Sequence, residues 1–433
     1  MQYAPLSDLA DLNPPVDTSS LDPDTPVTFL GMADVSEEGD ILQRHRRPYR
    51  EVQYGYTPFQ EDDVLVAKIT PCLENGKGCH ATNLTSGVGF GSTEFHVLRA
   101  KSGVSPRYLY YWTQFADFRI AAEASMIGSA GQQRVQPYLY DELKVPAFDL
   151  DEQRRIARVL DAVDAAIRRT DRVVDKLDHV RQGLLHDVLT CGLTADGALR
   201  DPDAHPEQFR DSPLGRIPKE WEILEGEKCF TLHSGRKPRR LRSDAGGEYL
   251  YLKVDDFNHP ANRKGFVRAQ NTFDAKSSDS ADVFQPGAVI FPKRGEAIFQ
   301  NRARVLKQPG TVDPNLMVME NREEVIHHAF LRYELVHIGL HRICDNSGVP
   351  QLNNKHLYPM PVAVPAIEEQ ERIVERLRSA ETKASKEYMR KTKIQNLQYG
   401  LMRDLRTGAV RITEDVERRV AEVTGRSAAT AAS

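Results

Sequence analysis

Four arginines crowd into seven positions at Arg44-His45-Arg46-Arg47-Pro48-Tyr49-Arg50. A second basic run, Arg236-Lys237-Pro238-Arg239-Arg240-Leu241-Arg242, is followed by Arg263-Lys264. Cationic side chains at this density bind phosphate, and arginine also reads guanine edges through its planar fork. Lys68 and the pair Lys293-Arg294 each follow a short apolar run. Gln132-Gln133-Arg134, beside Gly131, and Gln351-Leu352-Asn353-Asn354-Lys355, beside Gly348, add amides suited to adenine edges. One charge run by itself is ordinarily solvated surface, and amides next to glycine serve equally as turn and cap residues. The case for DNA rests on both kinds of cluster occurring twice.

Catalytic groups are not similarly assembled. No Gly-x-x-x-x-Gly-Lys-Ser/Thr loop is present, because Asn75-Gly76-Lys77-Gly78 lacks the upstream glycine. Asn13-Pro14-Pro15-Val16 approaches the Asn-Pro-Pro-aromatic motif of amino-methyltransferases, yet Val16 has no ring to stack on a flipped adenine. Gly87-Val88-Gly89-Phe90-Gly91 lacks the strand–loop–helix setting of a cofactor loop, and Glu142-Leu143-Lys144 has no repeated partner to complete a nuclease centre. Cys72, Cys79, Cys191, Cys229 and Cys344 are odd in number and scattered, which argues for a reducing compartment and against a disulfide scaffold. Cys72 and Cys79, with His80 adjacent, do not have zinc spacing. We expect no catalytic residue, no metal and no cofactor on this chain.

The bulk numbers set the frame. The 433 residues exceed what one core usually serves, and 58 basic against 62 acidic residues leave a net charge of −4. That balance gives no global sign of nucleic acid, so the argument is local. A content of 40% hydrophobic and 28% charged residues is that of a globular chain. Met1-Gln2-Tyr3-Ala4-Pro5 has no signal-peptide pattern, and no apolar run approaches the ~18 residues of a bilayer span, so a cytoplasmic protein without a membrane partner is expected.

The elements that carry the clusters are written twice. Glu152-Gln153-Arg154-Arg155-Ile156 recurs 217 residues later as Glu369-Gln370-Glu371-Arg372-Ile373, and Gly183-Leu184-Leu185-His186-Asp187-Val188 recurs at the same offset as Gly400-Leu401-Met402-Arg403-Asp404-Leu405. Phe59–Lys68 echoes Phe284–Lys293 at an offset of 225. Each half is therefore a globular part of variable length followed by a part of constant length. The constant parts predict long helices. Ile156, Leu160, Val163, Ile167, Val174, Leu177, Leu184 and Val188 follow a 4–3 alternation broken by Thr170 and Arg181. Ile373, Leu377, Ala380, Ala384, Ile394, Leu401 and Leu405 match them, with Glu387 and Lys391 on the seam. A helix of about forty residues is roughly 60 Å long. The two copies either pack on each other as an antiparallel pair, which we favour, or form separate hairpins. In the variable parts, Val64–Val66, Glu94–Leu98, Ala288–Phe291 and Leu316–Met319 read as buried strands, and the segments around Pro106–Trp112 and Phe330–Tyr333 as helices.

Two variable domains, each followed by a Pro-…-Glu-Gln-x-Arg-Ile helix ending in Gly-Leu-Leu/Met-x-Asp, resemble the specificity subunits of type I restriction–modification systems. Phe209–Trp221, Gly91-Ser92-Thr93-Glu94-Phe95 and Gly348-Val349-Pro350-Gln351-Leu352-Asn353 are similar to phrases of that family, although the second half offers Asp313-Pro314-Asn315-Leu316 where the first has Gly-Ser-Thr-Glu-Phe. The resemblance implies an α+β chain with two pseudo-symmetric α/β target-recognition domains, 1–145 and 222–362, each followed by a spacer helix, 146–193 and 363–410. A linker over 194–221 and a tail over 411–433, disordered from Ser427 onward, complete the expected layout. It implies a non-catalytic subunit reading double-stranded DNA in two halves. Two methyltransferase subunits carrying S-adenosylmethionine, and restriction–translocase subunits, would be its partners. The DNA-facing residues would be the clusters above. The helix interface would be Ile156, Leu160, Val163, Ile167, Val174, Leu177, Leu184, Ile373, Leu377, Ala380, Ile394 and Leu401. A self-contained adenine methyltransferase and a DNA-binding scaffold that reads no sequence are the alternatives.

Overall fold

Neither proline nor glycine interrupts residues 150–182 or 367–399, and each stretch lies in one 41-residue helix, Leu150–Thr190 and Ile367–Thr407. The computed structural model describes residues 3–129, 131–243, 246–275, 282–345, 348–407 and 411–425. It divides into two compact units, Met1–Arg172 with Tyr388–Ser433, and Val173–Glu387, so that both long helices are shared between units.

Inside each unit the start of one long helix packs antiparallel on the end of the other. In the first, Ile156, Leu160, Val163 and Ile167 meet Ile394, Leu397, Leu401 and Leu405. In the second, Leu184 and Val188 meet Ile373, Val374 and Leu377. Each fully buried Leu or Ile here contributes about 1.5–3 kcal/mol. Two polar interruptions of the seam have structural answers. The Thr170 hydroxyl donates back to the Ala166 carbonyl at 2.8 Å. Lys391 pairs with Asp171. Leu177 and Ala380 differ from the expectation of a closed seam: they line an open groove with Val180, Arg181 and Lys383. Val174 and Ala384 are buried.

The globular parts repeat strand for strand. In the first unit, Ala10–Leu12, Phe95–Ala100, Val64–Ala67 and Gly78–His80 form an antiparallel sheet in that order; in the second, Phe230–Ser234, Leu316–Asn321, Val289–Pro292 and Arg304–Val305 do the same. A second sheet in each unit is built around a parallel pair, Pro26–Leu30 with Val88–Gly91 and Tyr249–Leu252 with Gly310–Val312. The ends of each domain are tied together by the antiparallel pairs Tyr3–Pro5 with Lys144–Pro146 and Glu222–Glu225 with Pro361–Val364. Gly89, from the glycine-rich segment, is a strand residue on which a Cβ would lie 2.2 Å from the Phe59 ring. Close packing, rather than a phosphate, accounts for that glycine.

Three boundaries differ from the sequence expectation. Residues 146 and 363–364 are strand rather than helix, because each domain closes its terminal strand pair before the helix begins. The segment 194–221 is not a loose linker. Its hairpin Phe209–Ser212 with Gly215–Pro218 inserts Phe209 and Ile217, and Trp221, 1% exposed, belongs to the core of the second unit. The tail after Val410 contains the helix Glu414–Thr424, N-capped by Thr413 and seated on the first unit through Ile412, Val416 and Val420. Ser427–Ser433 lies outside the described residues. Among the described residues no helix is long and apolar enough to cross a membrane.

Candidate nucleic-acid interface

The repeated glutamine explains how each domain is fixed to its long helix. Gln153, 3% exposed, accepts from the backbone N–H of Ser105 at 2.8 Å and donates to the Phe148 carbonyl at 2.8 Å. Gln370, fully buried, accepts from the N–H of His327 at 2.8 Å and donates to Pro365 at 2.8 Å and Val325 at 3.0 Å. Ser105 and His327 are the N-caps of the aromatic helices Pro106–Gln114 and His328–Ile338. Six residues beyond each cap a tyrosine reaches the long helix: Tyr111 donates to Asp164 at 2.8 Å and Tyr333 to Glu381 at 2.9 Å. Asp164 and Glu381 are themselves 217 residues apart. Those aromatics are core and anchor, not base-stacking surfaces.

On this mount, one junction in each unit gathers predicted contact residues. The strand Val64–Ala67 runs into Lys68, whose N–H donates to the Glu94 carbonyl at 2.9 Å and whose carbonyl accepts from Val135 at 2.8 Å; Thr70 donates to the Gln133 carbonyl at 3.1 Å. Lys68, Gln132, Gln133 and Arg134 thus lie together. In the second unit Lys293 donates to the Asn315 carbonyl at 2.9 Å and accepts from Leu352 at 2.9 Å, and Gly295 donates to Pro350 at 2.9 Å. Lys293, Arg294, Gln351, Asn353 and Lys355 are brought together by the same frame. Asp313-Pro314-Asn315 makes the turn that Ser92-Thr93-Glu94 makes in the first copy, since Leu316 donates to Asp313 and Phe95 to Ser92, both at 3.1 Å. The departure from the family phrase is in side chains and not in backbone.

The two junctions carry different charges. Arg134 forks onto Glu94 at 2.7 and 3.0 Å, and this hydrogen bonding holds the Glu94 carboxyl below its usual range. Gln351 stands in the place of Arg134. The Lys293 ammonium donates to Ser234 Oγ at 2.8 Å, and burial, followed by the Arg294 charge, lowers its pKa. Asn353 caps the short helix Asn354–Leu357, on which Lys355 is exposed. Ser234 and the exposed Ile127 are not among the residues picked from sequence, and Glu94 and the exposed Val349 stand there only within longer runs; pairing of the strands reveals their place at the junctions.

The basic runs separate. Arg236, Lys237, Arg239 and Arg240 are exposed immediately beyond Ser234, so they continue the Lys293 junction; Arg242 pairs with Asp274 at 3.6 Å. The first run lies elsewhere, on the outer strand His45–Pro48 of the second sheet. There Arg47 stacks 4.0 Å over Phe29, Arg44 donates to the Thr82 carbonyl at 3.2 Å and Arg50 pairs with Asp24. Arg46 is exposed. Arg263 and Lys264 are exposed in the turn after Pro260–Asn262, near Arg304. Among the described residues, no group of three or more His, Cys, Asp or Glu is placed to hold a metal ion.

No family model matches the chain. Two Escherichia coli proteins, the EcoAI and EcoEI type I restriction enzyme specificity subunits, are 35% and 33% identical over 157 residues, 36% of this chain. The match spans about a quarter of the length of those curated relatives, 26% of each. A putative MjaX specificity subunit from Methanocaldococcus jannaschii is 22% identical over 321 residues, 72% of this chain and 70% of that one. Among solved structures, a type I restriction–modification S subunit from M. genitalium superposes with a TM-score of 0.54 at 14% identity, covering 95% of this chain and 96% of that one. A chain from a structure of type I restriction–modification complex assembly has a TM-score of 0.54 at 16% identity, covering 93% and 97%. In sequence, part of the chain is similar to type I restriction enzyme specificity subunits, and its fold is shared with a solved S subunit of a type I restriction–modification system.

Proposed function

We propose that this chain is the non-catalytic specificity subunit of such a system, each globular domain reading one half of a bipartite DNA target. One observation carries the reading: the Lys68–Gln133–Arg134 and Lys293–Gln351–Lys355 groups sit on the same backbone frame in two copies, each domain clamped to a long helix by an equivalent glutamine. Cationic and amide groups in such a setting match phosphates and base edges. Two readers mounted on paired helices of equal length define two half-sites with a fixed gap. The exposed outer surface of the helices offers the docking face for two methyltransferase subunits, which supply S-adenosylmethionine, and restriction–translocase subunits complete a cytoplasmic complex.

Co-expression with the cognate methyltransferase subunit, followed by mapping of methylated bases, tests this. A split motif with a constant gap is expected; an unmethylated genome or a continuous motif overturns it. Lengthening both long helices by the same whole number of heptads should widen the gap while both half-site sequences persist. S-adenosylmethionine binding by the purified chain alone would favour the self-contained methyltransferase instead.

A further inference from the structure

The strand pairs Val289↔Val305 and Val64↔His80 hold the same register, which puts Arg304 where the first copy has Cys79. Cys79 is fully buried and neutral, its thiol pushed up to about 12 by burial. Arg304 brings a charge to that place. Its guanidinium lies 5.3 Å from the Phe257 ring and 5.9 Å from Phe266, and Nη1 is shielded from solvent without a hydrogen-bond partner among the described residues. Burial first, and then the charges of Arg302, Arg332 and Arg263, push this guanidinium down to about 10. Arg302 donates to the neutral Asn258 at 2.8 Å, while Glu381 holds Arg332 at 2.6 Å.

The positive surface continues past the strand. Lys307 is exposed, and burial of its stem together with Arg378 and Arg332 lowers its ammonium. Arg378, exposed on the second long helix, also acts on His327 and His328. The first copy carries only part of this excess, because the same register sets Lys77, which donates to the Met32 carbonyl at 3.2 Å, in the place of Arg302. Leu306 and Ala81 make equivalent backbone bonds, with Gly287 and Ala288 in one copy and Asp62 and Asp63 in the other, so Thr82 stands for Lys307. At the helix position of Arg378 stands Asp161, which accepts from Arg107 at 2.7 Å.

Guanidinium groups held together with few carboxylates repel one another, and an anion relieves the repulsion. These cations come from three elements, a loop, a strand and the long helix. A row of phosphates can meet charges spread over several elements. We propose that Arg302, Arg304, Lys307 and Arg378 form a backbone-phosphate track for duplex DNA, complete in the second unit and reduced to one of its four cations in the first, so that the two half-sites are gripped unequally.

The proposal rests on the DNA-reading function above. Its test is the salt dependence of full-chain binding to duplex DNA. Each lost phosphate contact lowers the slope of log K against log salt by about 0.9. A Lys307→Gln/Arg378→Gln variant, altered at two exposed positions, should lose about two in slope with target preference intact. Wild-type chain that binds its target while the variant keeps the full slope overturns the track and leaves the function standing. Wild-type chain that binds no DNA overturns both. If inorganic pyrophosphate raises the melting temperature of the wild type and not of the variant, with slopes equal, the site takes a free anion and the DNA assignment falls.

Discussion

Glu369 accepts a hydrogen bond from the backbone N–H of Leu193 at 2.8 Å, tying the first turn of the second long helix to the residues that leave the first. Arg200 closes over the same carboxylate at 2.5 Å. Glu152, 217 residues earlier, accepts from the N–H of Ile412, just beyond the second helix, at 3.1 Å. The repeated Glu-Gln pair thus divides its labour. Glutamine clamps a domain onto its own helix, and glutamate holds the exit of the antiparallel neighbour.

The glutamates should differ in cost. The Arg200 and Glu369 side chains are 9% and 5% exposed, so Glu369→Gln leaves a buried guanidinium with only the exposed Glu220 carboxylate at 3.3 Å and should destabilise toward the lower end of about 3–5 kcal/mol. Glu152 meets a backbone N–H that glutamine also satisfies, and Glu152→Gln should cost less than about 1 kcal/mol. Urea unfolding of the two variants checks the order.

The glutamines should both matter. Gln153→Leu strands one N–H and one carbonyl, and Gln370→Leu strands one N–H and two carbonyls, at about 1–3 kcal/mol for each buried unsatisfied group. Both variants should unfold at lower denaturant concentration, Gln370→Leu more so. Equal stability to wild type would show that the domains are held by apolar contacts alone.

The helices and the duplication were legible because spacing survives where identity does not: a 4–3 pattern that resumes in register after each polar break, with no proline in it, admits little besides a long paired helix. The sheet topology was legible only in part, since Val64–Val66 and Leu316–Met319 announce burial and not their neighbours. The roles of Glu152 and Gln153 were hidden, because each acts on backbone far away in sequence. Composition misled at 194–221. Proline and glycine there mark turns of an ordered hairpin, and Trp221 was the available signal of a core. The charge clusters were visible, but whether an arginine is engaged depends on partners such as Glu94 and Asp24 that strand pairing brings near.

Thiol chemistry offers a check on burial. Cys79 and Cys229 are buried, with thiols pushed up to about 12 and about 11, chiefly by burial, whereas Cys72, Cys191 and Cys344 are partly exposed. Since the thiolate is the reactive species, an aromatic disulfide reagent at pH 8 should modify only those three in the native chain and all five after denaturation. Rapid labelling of Cys79 in the native chain would contradict the packing of its sheet.

Glu334 should make the second unit sensitive to base. It lies seven residues after the N-cap of its helix, where the first copy places the buried Trp112, and burial pushes its carboxyl up to about 8. The unfolded chain loses this proton near the ordinary glutamate value of 4.5, but the folded chain keeps it until about pH 8. The unfolded state therefore binds fewer protons across that window, and stability falls as pH rises, by about 1.4 kcal/mol per pH unit. Below about pH 4.5 both states are protonated and this contribution is fully present. Glu334→Leu removes the titration, so its stability relative to wild type should grow from pH 5 to pH 8 in chemical denaturation. A gap of the same size at both values would mean that the carboxyl finds a partner or water in solution and does not titrate with folding.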